Sequence, residues 1–144
     1  MNRSRLTAKS YFAPLLLALL VIAGCAPATT ASEESAASIT ALITVEELNT
    51  MLQSRDFPLI NVHIPYEGEI PGTDAHIPYN EIGKYADQFP QDKSAKLVLY
   101  CLRDGMSVAA SRALVEMEYM DVIYVQGGMK AWQAAGYDLL NDSK

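Results

Sequence analysis

The sequence predicts an α/β fold, a central parallel sheet with helices on both faces, and three observations carry that reading. Leu59-Ile60-Asn61-Val62, Leu97-Val98-Leu99-Tyr100 and Val122-Ile123-Tyr124-Val125 are short, nearly continuous apolar runs, the pattern of strands buried on both sides. Between them lie segments whose apolar residues recur at helical spacing, and strands alternating with helices pair in parallel. The chain has 144 residues, 50% hydrophobic and 19% charged, which is one domain's worth and not a disordered composition.

The N-terminal part belongs to a different category. Leu15 to Ala23 contains no polar side chain, yet it falls short of the roughly 20 apolar residues needed to span a hydrocarbon core. It follows Arg3, Arg5 and Lys9 and ends at Ile22-Ala23-Gly24-Cys25, the three-part pattern of a secretory signal peptide over residues 1–24. Ile22-Ala23-Gly24-Cys25 resembles the bacterial lipobox, which implies that Cys25 is acylated and opens the mature chain. The expectation is an exported protein held on the cell envelope by lipid, on the periplasmic side of a membrane or on the outer face in a Gram-positive cell. Ala26 stands where an Asp signals inner-membrane retention in some Gram-negative bacteria, so the outer membrane stays open.

Losing residues 1–24 removes three of eleven Lys and Arg and none of seventeen Asp and Glu, leaving a net charge of −9. Nucleic acid and anionic lipid surfaces are poor partners for such a chain, since phosphate backbones need clustered cations. With Cys25 consumed as a thioether, Cys101 is the remaining thiol and no intramolecular disulfide forms. A lone cysteine is either buried and inert or kept for its reactivity, and its neighbours decide which.

Residues 26–38, APATTASEESAAS, are small and polar and read as a flexible tether. Folding begins near Ile39 and runs to about Leu140. Thr44 with Glu47 three residues on forms a capping box, and Leu48, Met51 and Leu52 follow at helical spacing, so a helix runs from about Val45 to Arg55 until Pro58 breaks it. After the first strand, residues 63–78 hold three prolines and two glycines and read as an irregular loop. Asn80 can cap a second helix to Phe89 with Ile82, Tyr85 and Phe89 inward. After the second strand, residues 101–106 turn. Ala110, Ala113, Leu114, Met117 and Met120 then place a long helix on the sheet after Ser107. Past the third strand, Gly127-Gly128 turns into a last helix containing Trp132, closed by Gly136.

Cys101 thus stands at the C-terminal end of a strand, where open α/β sheets place their ligand sites. It opens the turn Cys101-Leu102-Arg103-Asp104-Gly105-Met106, which leads into a helix at Ser107. Backbone N–H groups converge inside such a turn, and the helix directs its positive end back at the sulfur; both favour thiolate over thiol. Cys101 is the candidate nucleophile, and Leu102, Arg103, Asp104, Gly105, Met106 and Ser107 are the candidate substrate-binding residues.

From Ile43 to Leu140 these features resemble a single-domain rhodanese. His76-Ile77-Pro78 is similar to the family's Gly-His-Ile-Pro segment, and Val98-Leu99-Tyr100-Cys101 to its catalytic strand end. Met106-Ser107 with Ala109-Ala110 resembles the start of the following helix, and Gly127-Gly128-Met129-Lys130-Ala131-Trp132 the Gly-Gly-x-x-x-Trp signature. The resemblance implies a rhodanese-like domain over residues 39–144 and sulfur transfer: a polysulfide, persulfide or thiosulfate loads Cys101, and a thiol or cyanide takes the sulfur away. It implies no metal or organic cofactor, and His63 and His76 read as loop or packing residues.

The chain departs from that pattern at several positions. Asp104, followed by Gly105, stands where many members have Gly, and Met106 where many have Arg; Asn61 replaces a usual Asp, and His63 a frequent Arg. A carboxylate beside the sulfur opposes thiolate formation and thiosulfate approach, while Met106 suits a softer donor. Ser107 occupies the position of the phosphate-gripping Arg in phosphatases of this fold, which argues against a phosphatase or arsenate reductase. The rival class is a rhodanese-like binding module that presents the acidic loop Tyr66–Asp74 to a protein partner.

Overall fold

The computed structural model describes residues 41–140. The expected signal segment, Cys25 and tether lie outside them, and no helix among the described residues is long and apolar enough to cross a membrane. Five parallel strands make one sheet: β1 (Ala41–Ile43), β2 (Leu59–Asn61), β3 (Ala75–His76), β4 (Leu97–Tyr100) and β5 (Val122–Val125), in the order β1-β5-β4-β2-β3. The helices are α1 (Val45–Met51), α2 (Gly105–Glu116) and α3 (Gly128–Ala134), with short 3-10 segments at Leu52–Ser54 and Ile82–Gln88.

β4 lies at the centre, and all four of its residues are buried. Alternation along it sends Leu97, Leu99 and then Cys101 into one cluster with Ile60, Val62, Ala110 and Leu114, under α2 and the second 3-10 segment. Val98 and Tyr100 face the other way, into a cluster with Leu48, Leu59, Val125, Met129 and Trp132 beneath α1 and α3. Helices therefore cover both faces, as the continuous apolar runs predict.

α1 begins at a complete capping box. Thr44 Oγ1 accepts the Glu47 N–H at 3.2 Å and Glu47 Oε2 accepts the Thr44 N–H at 2.7 Å, so two otherwise orphaned donors are satisfied. Its last turn tightens to 3-10 before Pro58, close to the expected end. At the far end of the chain, Gly136 at φ +87 receives the left-handed residue that closes α3.

Four expectations are corrected. Residues 63–78 are not wholly irregular: Ala75 and His76 pair with Ile60 and Asn61, and Asp74 fixes the register by accepting the Leu59 N–H on Oδ2 at 2.7 Å. Two paired residues are too few to show a period. Asn80 does not cap a helix; the segment starts at Glu81 without a side-chain cap and kinks at Tyr85, although Ile82 and Phe89 are buried. Short connectors favour 3-10 turns of this kind. α2 starts at Gly105 rather than after Ser107 and ends at Glu116, because Glu118 adopts φ +71; Met120 is consequently 64% exposed and not on the inward stripe. β1, finally, is an additional edge strand on β5, with Leu42 half exposed.

Candidate active site

Cys101 is the first residue past β4 and is 2% exposed. Its carbonyl accepts the Met129 N–H at 2.9 Å, and the Leu102 carbonyl accepts the Lys130 N–H at 3.1 Å, both from the first turn of α3. In a planar trans peptide the next N–H points opposite the carbonyl. The N–H groups of Leu102 and Arg103 are therefore turned away from α3. From Leu102 to Ser107, six successive N–H groups have no acceptor among the described residues; Val108 is the first to bond, to the Asp104 carbonyl at 2.9 Å. A run of free backbone donors at the opening of a twelve-residue helix is chemically able to hold an anion, and this one directly follows Cys101.

The contact between loop and α3 tolerates only glycine. Gly128 has φ +51, and a Cβ on it would lie 2.1 Å from the Cys101 carbonyl oxygen and 2.7 Å from that of Arg103. Gly127, at φ +71, would bring a Cβ within 2.6 Å of Ala131 Cβ. The double glycine lets the backbone of α3 press directly on the backbone of the Cys101 turn.

The candidate substrate-binding residues separate in space. Asp104 directs Oδ1 to the Gly127 N–H at 2.7 Å and makes no side-chain cap on α2. Ser107 is fully buried; its Oγ donates to the Asp104 carbonyl at 2.9 Å and lies 3.5 Å from Cys101 Sγ. A hydroxyl has one hydrogen, so with that hydrogen on Asp104 the lone pairs of Ser107 face the sulfur and the thiol S–H donates. Met106 packs half-buried in the same cluster as Cys101, while Leu102 packs on the opposite face; Arg103 and Gly105 are exposed.

The strand next to Cys101 carries an internal hydrogen-bonded frame. Tyr100 is fully buried, its hydroxyl accepts the Ile70 N–H at 3.0 Å, and it lies 2.6 Å from Thr73 Oγ1. Thr73 already donates to the Ile70 carbonyl at 2.7 Å, so the phenol donates to Thr73. Burial raises the Tyr100 pKa far above the ordinary phenol value, and the hydrogen bond it accepts from the Ile70 N–H offsets only part of that. Asn61 is buried and holds Gly68 through Nδ2 at 3.0 Å and the His63 N–H through Oδ1 at 3.0 Å. Arg55 grips the Gly72 carbonyl and Asp74. Loop 66–74 is thus pinned at Asn61, Tyr100 and Arg55.

His63 is a buried loop residue whose ring nitrogens make no hydrogen bond; Glu67 Oε2 lies 3.5 Å from its Nε2. His76 Nε2 sits 2.6 Å from the His63 carbonyl, and its ring meets Tyr66 edge to face. Among the described residues no three His, Cys, Asp or Glu side chains group closely enough to hold a metal. Sequence reasoning missed the support given by Tyr100, Asn61 and the Met129 and Lys130 backbone; only the double glycine carried a signal for it.

Comparison with known proteins matches residues 44–135 to the family described as rhodanese-like domain. The probable adenylyltransferase/sulfurtransferase MoeZ of Mycobacterium tuberculosis is 37% identical over 95 residues, 62% of this chain and 24% of that protein. The chain thus spans about a quarter of that relative's length. A rhodanese-related protein of Thermoplasma volcanium superposes with a TM-score of 0.59 at 22% identity, covering 69% of this chain and 97% of that one. A Rhodopseudomonas palustris protein of unknown function, described as a possible tyrosine phosphatase, gives 0.61 at 22% identity, covering 73% and 88%. At such identities the likeness of the two structures concerns the fold.

Proposed function

The chain belongs to the rhodanese-like family, and from that premise we propose that it moves sulfane sulfur through a persulfide on Cys101, as a sulfurtransferase or persulfide carrier. The observation that carries this reading is the row of six unpartnered N–H groups from Leu102 to Ser107 behind a cysteine at a strand end. In the loading step the Cys101 thiolate attacks the sulfane sulfur of a polysulfide, persulfide or thiosulfate. A new S–S bond forms, the donor's bond to that sulfur breaks, and its electron pair leaves on a thiolate or on sulfite. The persulfide anion then rests on the backbone donors. A thiol or cyanide acceptor attacks the outer sulfur and returns Cys101 to the thiolate.

Met106 would flank the donor with apolar surface, Arg103 would meet its charge and Gly105 would keep the turn open, while Leu102, packed on the opposite face, would hold the turn in place. Ser107 would keep a hydroxyl at the sulfur. Asp104 acts indirectly in this reading, by fastening the loop to Gly127. The test is intact mass after incubation with thiosulfate or polysulfide. A sulfur adduct on the wild type and none on Cys101→Ser supports the reading, and no adduct from any donor sinks it.

Two further parts of the reading follow from the sequence. Acylation at Cys25 would place the domain on the cell envelope; if Cys25→Ser is exported and still sediments with membranes, the anchor is disproved. Loop 66–74, held rigid by Asn61, Tyr100 and Arg55, supports the alternative of a binding module that offers this acidic loop to a protein partner. A module of that kind takes up no sulfur, so the same mass measurement separates the two.

A further inference from the structure

Ser107 brings a hydroxyl to the reacting sulfur. Its Oγ lies 3.5 Å from Cys101 Sγ, and both side chains are buried, so bulk water does not compete for the contact. The hydroxyl has a single hydrogen and two acceptors within reach, the sulfur and the Asp104 carbonyl at 2.9 Å. That carbonyl also accepts the Val108 N–H at 2.9 Å. It therefore stays satisfied when the hydroxyl turns away, and the hydrogen is free to follow the charge on the sulfur.

The three states of Cys101 rank the two acceptors differently. A thiol is a weak acceptor that donates its own S–H, so the Ser107 hydrogen stays on Asp104. A thiolate carries a full charge, and a hydrogen bond to an ionised acceptor is roughly twice as strong as a neutral one, so the hydrogen turns to Sγ. In a persulfide the charge sits on the outer sulfur, about 2.05 Å further out. The inner sulfur is then bonded twice and neutral, and the hydrogen returns to Asp104.

Resting on the sulfurtransferase reading, we infer that Ser107 is a catalytic residue of sulfur release, because its hydroxyl bonds the Cys101 thiolate and not the persulfide. In release the acceptor attacks the outer sulfur, the S–S bond breaks and its electron pair stays on Sγ, where the Ser107 hydrogen meets it. Loading runs the other way, and the thiolate gives up that bond before it attacks the donor. The free N–H groups after Cys101 favour the loaded form and Ser107 favours the unloaded one. The hydroxyl thus biases the chain toward delivering sulfur and against storing it.

The bias is read from the two half-reactions of the full chain. Protein is loaded with polysulfide at about pH 9, where an ordinary thiol is mostly ionised, then freed of donor and given cyanide, with intact mass followed through both steps. We expect the ratio of release rate to loading rate to fall about fivefold in Ser107→Ala, slower release carrying most of the change. Ser107→Thr keeps the hydroxyl and should restore the ratio to within about twofold of wild type. Ser111 lies one turn further along α2, fully buried, and its Oγ has no hydrogen-bond partner among the described residues. Ser111→Ala removes a buried hydroxyl away from the sulfur and should keep the wild-type ratio. Release and loading slowed by the same factor in Ser107→Ala would mark a structural role and overturn the inference. A wild-type ratio in Ser107→Ala, or a Ser107→Thr as impaired as Ser107→Ala, overturns it too. In all three cases the chain still takes up and releases sulfur, so the sulfurtransferase reading stands. A wild type that gains sulfur from no donor overturns both.

Discussion

Asp104 Oδ1 accepts the Gly127 N–H at 2.7 Å, which fastens the turn carrying Cys101 to the turn that opens α3. The same two turns meet again where Met129 and Lys130 donate to the carbonyls of Cys101 and Leu102. The shape of the Cys101 turn is therefore set by residues about 25 positions further along the chain, and their substitution should be felt at Cys101.

Asp104→Ala removes a charge-assisted bond to a half-buried N–H and should lower the unfolding free energy by about 1–2 kcal/mol, while Asp104→Asn, which keeps an acceptor, should lose less. Urea denaturation checks the order of the two variants. Sulfur loading should slow in Asp104→Ala even with an uncharged donor, since the loss is one of geometry. Equal stability of Asp104→Ala and wild type would show the bond to be dispensable.

Gly128→Ala should be the most damaging small substitution in the site. Its methyl would meet the Cys101 carbonyl at 2.1 Å, backbone against backbone, at a φ of +51. A loss of about 3 kcal/mol or more is expected, with the Cys101 turn displaced. Gly105→Ala is the matched control. A Cβ there meets nothing within 4 Å in the first turn of α2, so stability should hold or rise by about 0.5–1 kcal/mol. Thermal unfolding of both variants tests the contrast.

The nearly continuous apolar runs made the sheet and both helical layers legible, because β4 and β5 are long enough for burial to dominate their composition. β3 was not legible: two residues hold their place through the Asp74 carboxylate and not through any pattern of their own. Met120 has the spacing of the inward stripe of α2 but lies past Glu118, whose left-handed backbone ends the helix without Gly or Pro to announce it. At the site, Cys101 and its turn were readable from position, whereas the direction of the Asp104 side chain was not. A carboxylate three residues from a cysteine can face the sulfur or face away, and the partner that decides here, Gly127, is distant in sequence.

Tyr100→Phe should change the alkaline limb of the stability curve. Burial raises the Tyr100 pKa in the folded state above its ordinary value near 10.0, so the unfolded chain releases this proton first as pH rises. The contribution of Tyr100 is complete below about pH 10 and is progressively lost above it. The Phe variant should be less stable at neutral pH through loss of the bonds to Ile70 and Thr73, and its stability should fall less steeply above about pH 10. Urea midpoints at neutral pH and across the alkaline range measure both effects. Parallel alkaline curves for the two proteins would assign the buried phenol no linkage.

The most direct test of the central claim is a single turnover at Cys101. Full-length protein is loaded with donor, freed of excess donor and then given cyanide, while thiocyanate and intact mass are followed together. The account predicts stoichiometric thiocyanate and a return to the unmodified mass, with neither sulfur uptake nor thiocyanate in Cys101→Ser. Thiocyanate formed equally by Cys101→Ser, or a wild type that never gains the sulfur, would contradict it.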